Sequence, residues 1–139
     1  MDHLVRELAS DAVEIVNPWD KTEFADELTE AMAIAHHDER VTRMAAINHR
    51  IAAWNEAAIR SCEAVVAVLD GVDVDSGTAS EIGFAYALGK RVFGLRTDFR
   101  LAGDNFGAVV NLQVQHFIDA SGGRIVREVG LLRAMLGAG

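Results

Sequence analysis

The sequence predicts an α/β fold, an open parallel sheet with helices packed on both of its faces. Three observations carry that expectation. Ala64 to Asp70 (AVVAVLD) is a continuous apolar run, the pattern of a strand buried on both sides rather than one that alternates between core and water. Arg91 to Leu95 is a further run, separated from the first by a polar glycine-containing loop, a helical stretch and a Gly89-Lys90 stop, which together make a βαβ unit. The third is size: 139 residues, 50% of them hydrophobic and 24% charged, have the content of one compact core, so a single domain is expected over 1–139.

Taken in order, Met1 to Ala9 reads as a helix, whereas chains of this class usually open on a central strand. Val13 to Asn17 is a short β-branched run closed by Asn17-Pro18 and reads as a parallel strand. Glu23 to His37 places Phe24, Leu28, Ala31, Met32 and Ala35 at helical spacing, and Glu39 to Ser61 does the same with Val41, Met44, Ile47, Ile51, Trp54, Ala58 and Ile59. These are two amphipathic helices. The loop Gly71 to Gly77 leads into a helix from about Thr78 to Leu88. Beyond the Arg91 to Leu95 strand come a loop through Asp104, a helix-like segment near Phe106 to Ala120 and a Gly122-Gly123 break. A short run, Arg124 to Val126, and a terminal helix through Leu131 to Leu136 close the chain. The alternation is that of flavodoxin-like or Rossmann-like sheets, whose ligands sit beyond the carboxyl ends of the strands. Asp70 to Thr78 lies at such an end.

Composition narrows the partners. Thirteen Lys and Arg against 21 Asp and Glu leave a formal charge of -8, without the basic footprint that binding a phosphate backbone requires, so no nucleic-acid polymer is expected. The apolar runs are far short of the ~20 residues that span a bilayer as a helix, and no membrane segment is expected. Met1-Asp2-His3-Leu4 has neither a basic n-region nor an apolar h-region, and Cys62 is the single cysteine, so the expected location is the cytoplasm. Cys62 itself reads as packing.

The densest chemistry lies between Asp70 and Lys90, where Asp70, Asp73, Asp75 and Glu81 gather at or near one strand end. Asp75 and Ser76 are natural helix N-caps, Gly77 allows close approach of a ligand to the backbone, and Glu81 falls in the first turns of the helix. The helix dipole is expected to favour its ionised form, which suits a nucleophile or an electrostatic stabiliser. A capped helix with a solvated acidic loop explains the same spacing equally well.

The run VVAVLDGVDVDSGTASEIGFAYALGKRVFGLRTDFR, Val65 to Arg100, resembles the core of the nucleoside 2-deoxyribosyltransferase family. That family's pattern is an apolar strand, an Asp-x-Gly-Thr-x-x-Glu-Ile-Gly loop and helix, then Ala-Tyr-x-Leu-Gly-Lys and another strand. The resemblance continues more loosely through Asn105 and Asn111-Leu112-Gln113 to Ser121-Gly122-Gly123. It implies that Glu81 is the nucleophile that attacks the anomeric carbon of a 2'-deoxyribonucleoside. Asp75, six positions earlier, would then address the departing or incoming base, and Asp73, Gly77 and Thr78 are expected to contact substrate. Trp54 and Tyr86, at helical spacing with aliphatic neighbours, read as core or interface, with Tyr86 the better candidate to border the pocket because it follows Glu81 on the same helix. Displacing a base at an anomeric carbon passes through an oxocarbenium-like state, for which two carboxylates in different environments are the minimum equipment. A second base attacking the same face gives transfer with retention, and water gives hydrolysis. No metal or cofactor is implied; the partners are a deoxynucleoside and a free nucleobase. The acidic balance agrees with a neutral nucleoside better than with a 5'-phosphorylated one. A deoxynucleoside or deoxynucleotide N-glycosidase, or a non-catalytic nucleoside-binding module or inactive fragment, remains as the alternative.

Other residues are open to plainer readings. Asp98 and Arg100 follow the Arg91 to Leu95 strand on the ligand side, and a loop-bracing ion pair accounts for them as well as substrate contact does. Asn105 and Asn111 resemble positions where the family completes the sugar site from a neighbouring subunit, or they stabilise turns. His36-His37-Asp38-Glu39 holds metal-capable side chains, but consecutive helical residues do not face one another, and a water-exposed helix junction is expected there. His49 and His116 stand alone. A homo-oligomer with shared active sites is expected, because family sites are completed by a neighbour and an apolar surface on the Trp54 helix would otherwise be wet. Family members start with a strand and a Leu-Ala-Gly-Pro type loop in the middle of the sheet. Neither is found here, so the domain is expected to be N-terminally incomplete, with a gap between the Val13 and Val65 strands.

Overall fold

The computed structural model describes residues 2–9, 13–17 and 20–137. In chain order the elements are α1 (Asp2–Leu8), α2 (Thr22–Met32), α3 (His37–Ser61), β1 (Ala64–Val68), α4 (Ser76–Ala87), β2 (Arg91–Leu95), α5 (Leu112–Ala120), β3 (Ile125–Val126) and α6 (Val129–Leu136). They fall into two compact units, one formed by residues 1–15 and 62–139, the other by 16–61.

The larger unit is the expected α/β sheet. Among the described residues its three strands are parallel in the order β1-β2-β3, with Ala64 opposite Arg91, Val68 opposite Leu95, and Leu95 opposite Val126. Alternate residues of a strand face opposite sides, and β2 shows both sides covered. Phe93 and Leu95 join Leu8 of α1, Val126 of β3 and Leu132 of α6 in one buried cluster. On the other side Gly94 lies under α5: a Cβ there would stand 2.5 Å from Cδ1 of Leu69 and 3.2 Å from Cδ1 of Ile118. Ile82 of α4 and Ile118 of α5 are fully buried. Each such side chain contributes roughly 1.5–3 kcal/mol of transfer free energy, which is what holds the helices to the sheet. Overhang beyond the strands is ordered too, since Leu69 N donates to Leu95 O at 2.8 Å and Arg96 N to Val126 O at 2.9 Å.

The smaller unit is a helical pair. Phe24 and Ala31 of α2 and Ile47 of α3 form its buried centre, with Leu28, Met44, Ile51 and Trp54 packed around them. Arg50 reaches Glu27 at 2.6 Å, and that hydrogen bond holds the Glu27 carboxyl below its ordinary range. Trp54 is half-buried, with Lys21 Nζ 5.8 Å from its ring centroid. Much of the apolar stripe of the Trp54 helix, Met44, Ile47, Ile51 and Trp54, is therefore packed within this unit, while Val41 is left exposed.

Three local expectations are corrected. Val13 to Asn17 does not form a strand: only Val13 takes part in a β-bridge, and Asn17 is committed to a turn, accepting from Asp20 N at 3.1 Å and donating through Nδ2 to Asp20 at 2.8 Å. Pro18 lies outside the described residues. The helix over Glu23 to His37 stops at Met32, where Ala33 and Ile34 tighten the last turn onto Glu30 O and Ala31 O, and Arg40 Nη1 donates to Ile34 O at 3.1 Å. The segment near Phe106 is loop until Asn111: Gly107 has φ +99°, and Ala102 N donates to Val109 O at 3.0 Å, so the chain folds back on itself before the helix starts. Among the described residues no helix is long and apolar enough to cross a membrane.

Candidate active site

Past β1 the chain must reverse to enter α4, and Gly71, at φ +121°, takes the conformation that a side chain would disfavour. Asp75 then caps α4: its Oδ2 accepts from Thr78 N at 3.1 Å. Gly77 leaves room for the same cap, because a Cβ there would stand 3.0 Å from that oxygen and press it aside. Asp73 bonds locally, accepting from Val74 N at 2.7 Å.

Glu81 is half-buried on the second turn of α4. Burial raises its pKa above the ordinary carboxylate value, and the charge of Asp75 raises it further. The helix was expected to favour the ionised form, but the dipole fades within the first turn, and Glu81 lies beyond it. Desolvation and a like charge prevail. Tyr86 stands five residues on, about 140° around the helix. Its ring stacks on Phe117 of α5 at 4.9 Å between centroids, with His116 edge-on at 6.4 Å.

At the end of β2 the carboxylates behave differently. Arg100 clasps Asp98, with Nε 2.9 Å from Oδ1 and 3.1 Å from Oδ2 and a further bond from Nη2 to Oδ2. That hydrogen-bonded ion pair holds Asp98 far below its ordinary range. The bracing reading of this pair is the one the geometry displays. Asn111 caps α5, its Oδ1 accepting from Gln113 N at 3.0 Å and Val114 N at 3.3 Å, while Asp104 accepts from Leu112 N at 2.7 Å. Asn105 is exposed in the turn before it, its carbonyl accepting from Ala108 N at 3.3 Å. His36 to Glu39 are exposed at the α2–α3 junction, as expected.

The sequence reading misses Arg96 and counts Asp70 only among the carboxylates at the strand end. Arg96 is fully buried, and its guanidinium donates to the carbonyls of Leu69, Gly71 and Arg100. Asp70 accepts from Thr97 N at 2.6 Å and Asp98 N at 2.8 Å through Oδ1, and from the Thr97 hydroxyl at 2.6 Å through Oδ2. Burial pushes its carboxyl up, but these bonds and the charge of Arg96 leave it below the ordinary value. The available signal was position: each polar residue directly follows an apolar strand run, where a side chain reaches the neighbouring loop. A shallow concavity of about 480 Å³ opens here, lined by Asp70, Thr97, Asp98, Phe99 and Arg100. Of the predicted site residues it takes in Asp98. Glu81 and Asp75 are brought together elsewhere, at the start of α4.

A family model described as nucleoside 2-deoxyribosyltransferase matches residues 1–113, a span that holds every predicted site residue. No curated protein matches the chain. Among solved structures, a conserved protein from Enterococcus faecalis V583 is similar at 21% identity and a TM-score of 0.50, with 94% of each chain covered. At that identity the likeness shows the fold alone.

Proposed function

The chain belongs to the nucleoside 2-deoxyribosyltransferase family, and from that premise we propose that it transfers 2-deoxyribose between nucleobases through a covalent intermediate on Glu81. The observation that carries this reading is the pairing of Glu81 with Asp75: a half-buried carboxylate kept beside a second carboxylate that caps the same helix. In the first step a Glu81 oxygen attacks the anomeric carbon while the glycosidic C–N bond breaks, its electron pair leaving on the base nitrogen. Asp75 manages the proton that the departing base takes up and the one that the incoming base releases, so protons balance over the cycle. The second base attacks the carbon of the glycosyl ester from the side the first one left, expels the Glu81 carboxylate and restores the configuration. Partial burial makes Glu81 more basic and less hydrated than an exposed glutamate, which favours attack on carbon once it is ionised.

A neutral deoxynucleoside is the substrate class. The cations that follow β2 are engaged, Arg100 with Asp98 and Arg96 with three carbonyls, which disfavours a phosphorylated sugar beside them. Asp73, Gly77, Thr78 and Tyr86 are the proposed substrate contacts on α4 and its loop, with Asn105 and Asn111 on the segment that follows β2, where Asp98 is assigned to bracing through Arg100. We place the site in a homo-oligomer whose neighbour completes it. Exposed Phe99, Leu101 and Phe106, which surround Asn105 in sequence, support that reading in place of the Trp54 helix.

Incubation with a deoxynucleoside and a different free base tests the reaction. Formation of the exchanged deoxynucleoside supports it. Free base with free sugar would make water the acceptor, and ligand-dependent stabilisation without product would leave a binding module. Light scattering tests the assembly: a mass of several chains supports it, and a 15.0 kDa monomer at micromolar concentration counts against it.

A further inference from the structure

The buried guanidinium of Arg96 and the carboxylate of Asp70 make contacts that run in opposite directions between the same two loops. From the end of β2, Arg96 Nη1 donates to Leu69 O, and its Nη2 to Gly71 O at 3.1 Å, fixing the first residues of the β1–α4 loop. From the end of β1, Asp70 takes the amides of Thr97 and Asp98 and the Thr97 hydroxyl, fixing the first residues of the β2–α5 loop. Arg96 also donates to Arg100 O, through Nε at 3.2 Å and Nη2 at 2.8 Å, so one side chain spans both loops. Its acceptors among the described residues are backbone carbonyls. Replacing a guanidinium that meets several carbonyls at fixed angles by an ammonium is not a conservative change.

We propose that Arg96 and Asp70 are positioning residues: a reciprocal clasp that holds the β1–α4 and β2–α5 loops together where they leave the sheet, and so sets where the start of α4, which carries Asp75 and Glu81, stands beside the β2–α5 loop. The loop between Gly71 and Asp75 is otherwise held by local bonds, with Val74 N to Asp73 among them, and its far end is fixed to α4 by the Asp75 cap. Joining its base at Leu69 and Gly71 to the β2–α5 loop therefore ties the start of α4 to that loop. Neither residue touches the substrate; both act through the loops they join. The inference rests on the proposed role of the Glu81–Asp75 pair, but its test does not depend on turnover.

Substitutions at position 70 separate geometry from charge. Asp70→Ala removes three hydrogen bonds at an exposed position, where the fold is expected to survive. Asp70→Asn also removes the charge, yet its carbonyl oxygen can keep both amide bonds and its NH₂ can donate to the Thr97 hydroxyl. Titration of the Glu81 side-chain carboxyl by carbon-13 NMR is the first readout. In Asp70→Ala the midpoint is expected to fall toward an ordinary glutamate, because the two loops part and water reaches Glu81, while Asp70→Asn keeps the wild-type midpoint. In the base-exchange assay, kcat of Asp70→Ala is expected to fall about tenfold or more with KM within about threefold, and Asp70→Asn to recover it. Arg96→Lys is expected to behave as Asp70→Ala does. A folded Asp70→Ala with the wild-type Glu81 titration overturns the clasp, and so does an Asp70→Asn that titrates like Asp70→Ala. Absence of exchange in the wild-type protein overturns the proposed reaction instead and leaves the titration result standing.

Discussion

On the segment that follows β2, Asp98 is gripped by Arg100 and its carboxyl is held far down in pKa; on α4, Glu81 meets no such cation among the described residues, loses part of its hydration, feels Asp75 and is pushed up. Both carboxylates follow parallel strands of the same sheet, in loops or helices that leave its carboxyl ends. The difference lies in what surrounds them. A paired carboxylate is neutralised and committed, and serves as a brace. One that is desolvated beside a like charge is kept at a cost to the fold, which is the usual mark of a group retained for chemistry. The roles proposed for the two carboxylates, Glu81 as nucleophile and Asp98 as brace, follow the sign of that shift.

The largest effect that can break this comparison comes from Glu81→Gln. Exchange activity is expected to drop by about a thousand-fold or more, because the amide cannot form the glycosyl ester. Stability should move the other way. A carboxyl raised by folding gives a contribution that is full below its unfolded pKa and lost as pH rises through its folded pKa. At neutral pH, Glu81→Gln should thus melt higher than wild type, with the gain shrinking as acid reaches the carboxylate range. A variant with wild-type turnover, or one that melts lower at neutral pH, contradicts the assignment.

Asp75→Ala comes next. It removes the α4 cap at a cost of about 1 kcal/mol, and it removes the like charge acting on Glu81. In a pH–rate series the acid limb should shift to lower pH while the maximum rate falls. An acid limb that stays in place would mean that burial alone sets Glu81. A subtler probe is Gly77→Ala, whose methyl would stand 3.0 Å from Asp75 Oδ2. Weaker capping and reduced turnover are expected, with the loss in turnover smaller than for Asp75→Ala; equal activity to wild type would show that the oxygen can move without consequence.

The smallest effect is expected from Asp98→Asn. A carboxyl lowered by folding stabilises above its unfolded pKa and loses that contribution as pH falls through the folded value, so the variant should differ from wild type at neutral pH and converge with it in strong acid. Arg100 is exposed, and salt should shrink the difference. Turnover should stay near that of wild type. A collapse of activity in Asp98→Asn would reverse the comparison and make the β2 side a working part of the site.

Much of the architecture was legible in the residues themselves. The run from Ala64 gave a strand, as a short apolar run bounded by turn residues does, although within β1 only Ala67 is buried rather than both faces throughout; Arg91 to Leu95 matches its strand residue for residue. Asp75 declared itself as a cap through its spacing to Thr78, since capping needs only a short side chain one turn from a helical amide. Local interactions of that kind are written in nearest neighbours. What failed was also local in form but decided from outside: Val13 to Asn17 has strand composition, yet a strand needs a partner to bond with, and Asn17 bonds Asp20 instead. The Glu81 pKa was misjudged for the same reason, because the extent of its burial depends on what the fold packs around α4. Likewise nothing in the sequence said that Arg96 would be sealed among carbonyls of two loops. Hydrophobic period and cap spacing act along the chain and can be read along it; desolvation and bonds between loops far apart in sequence exist only once the sheet has brought those loops together.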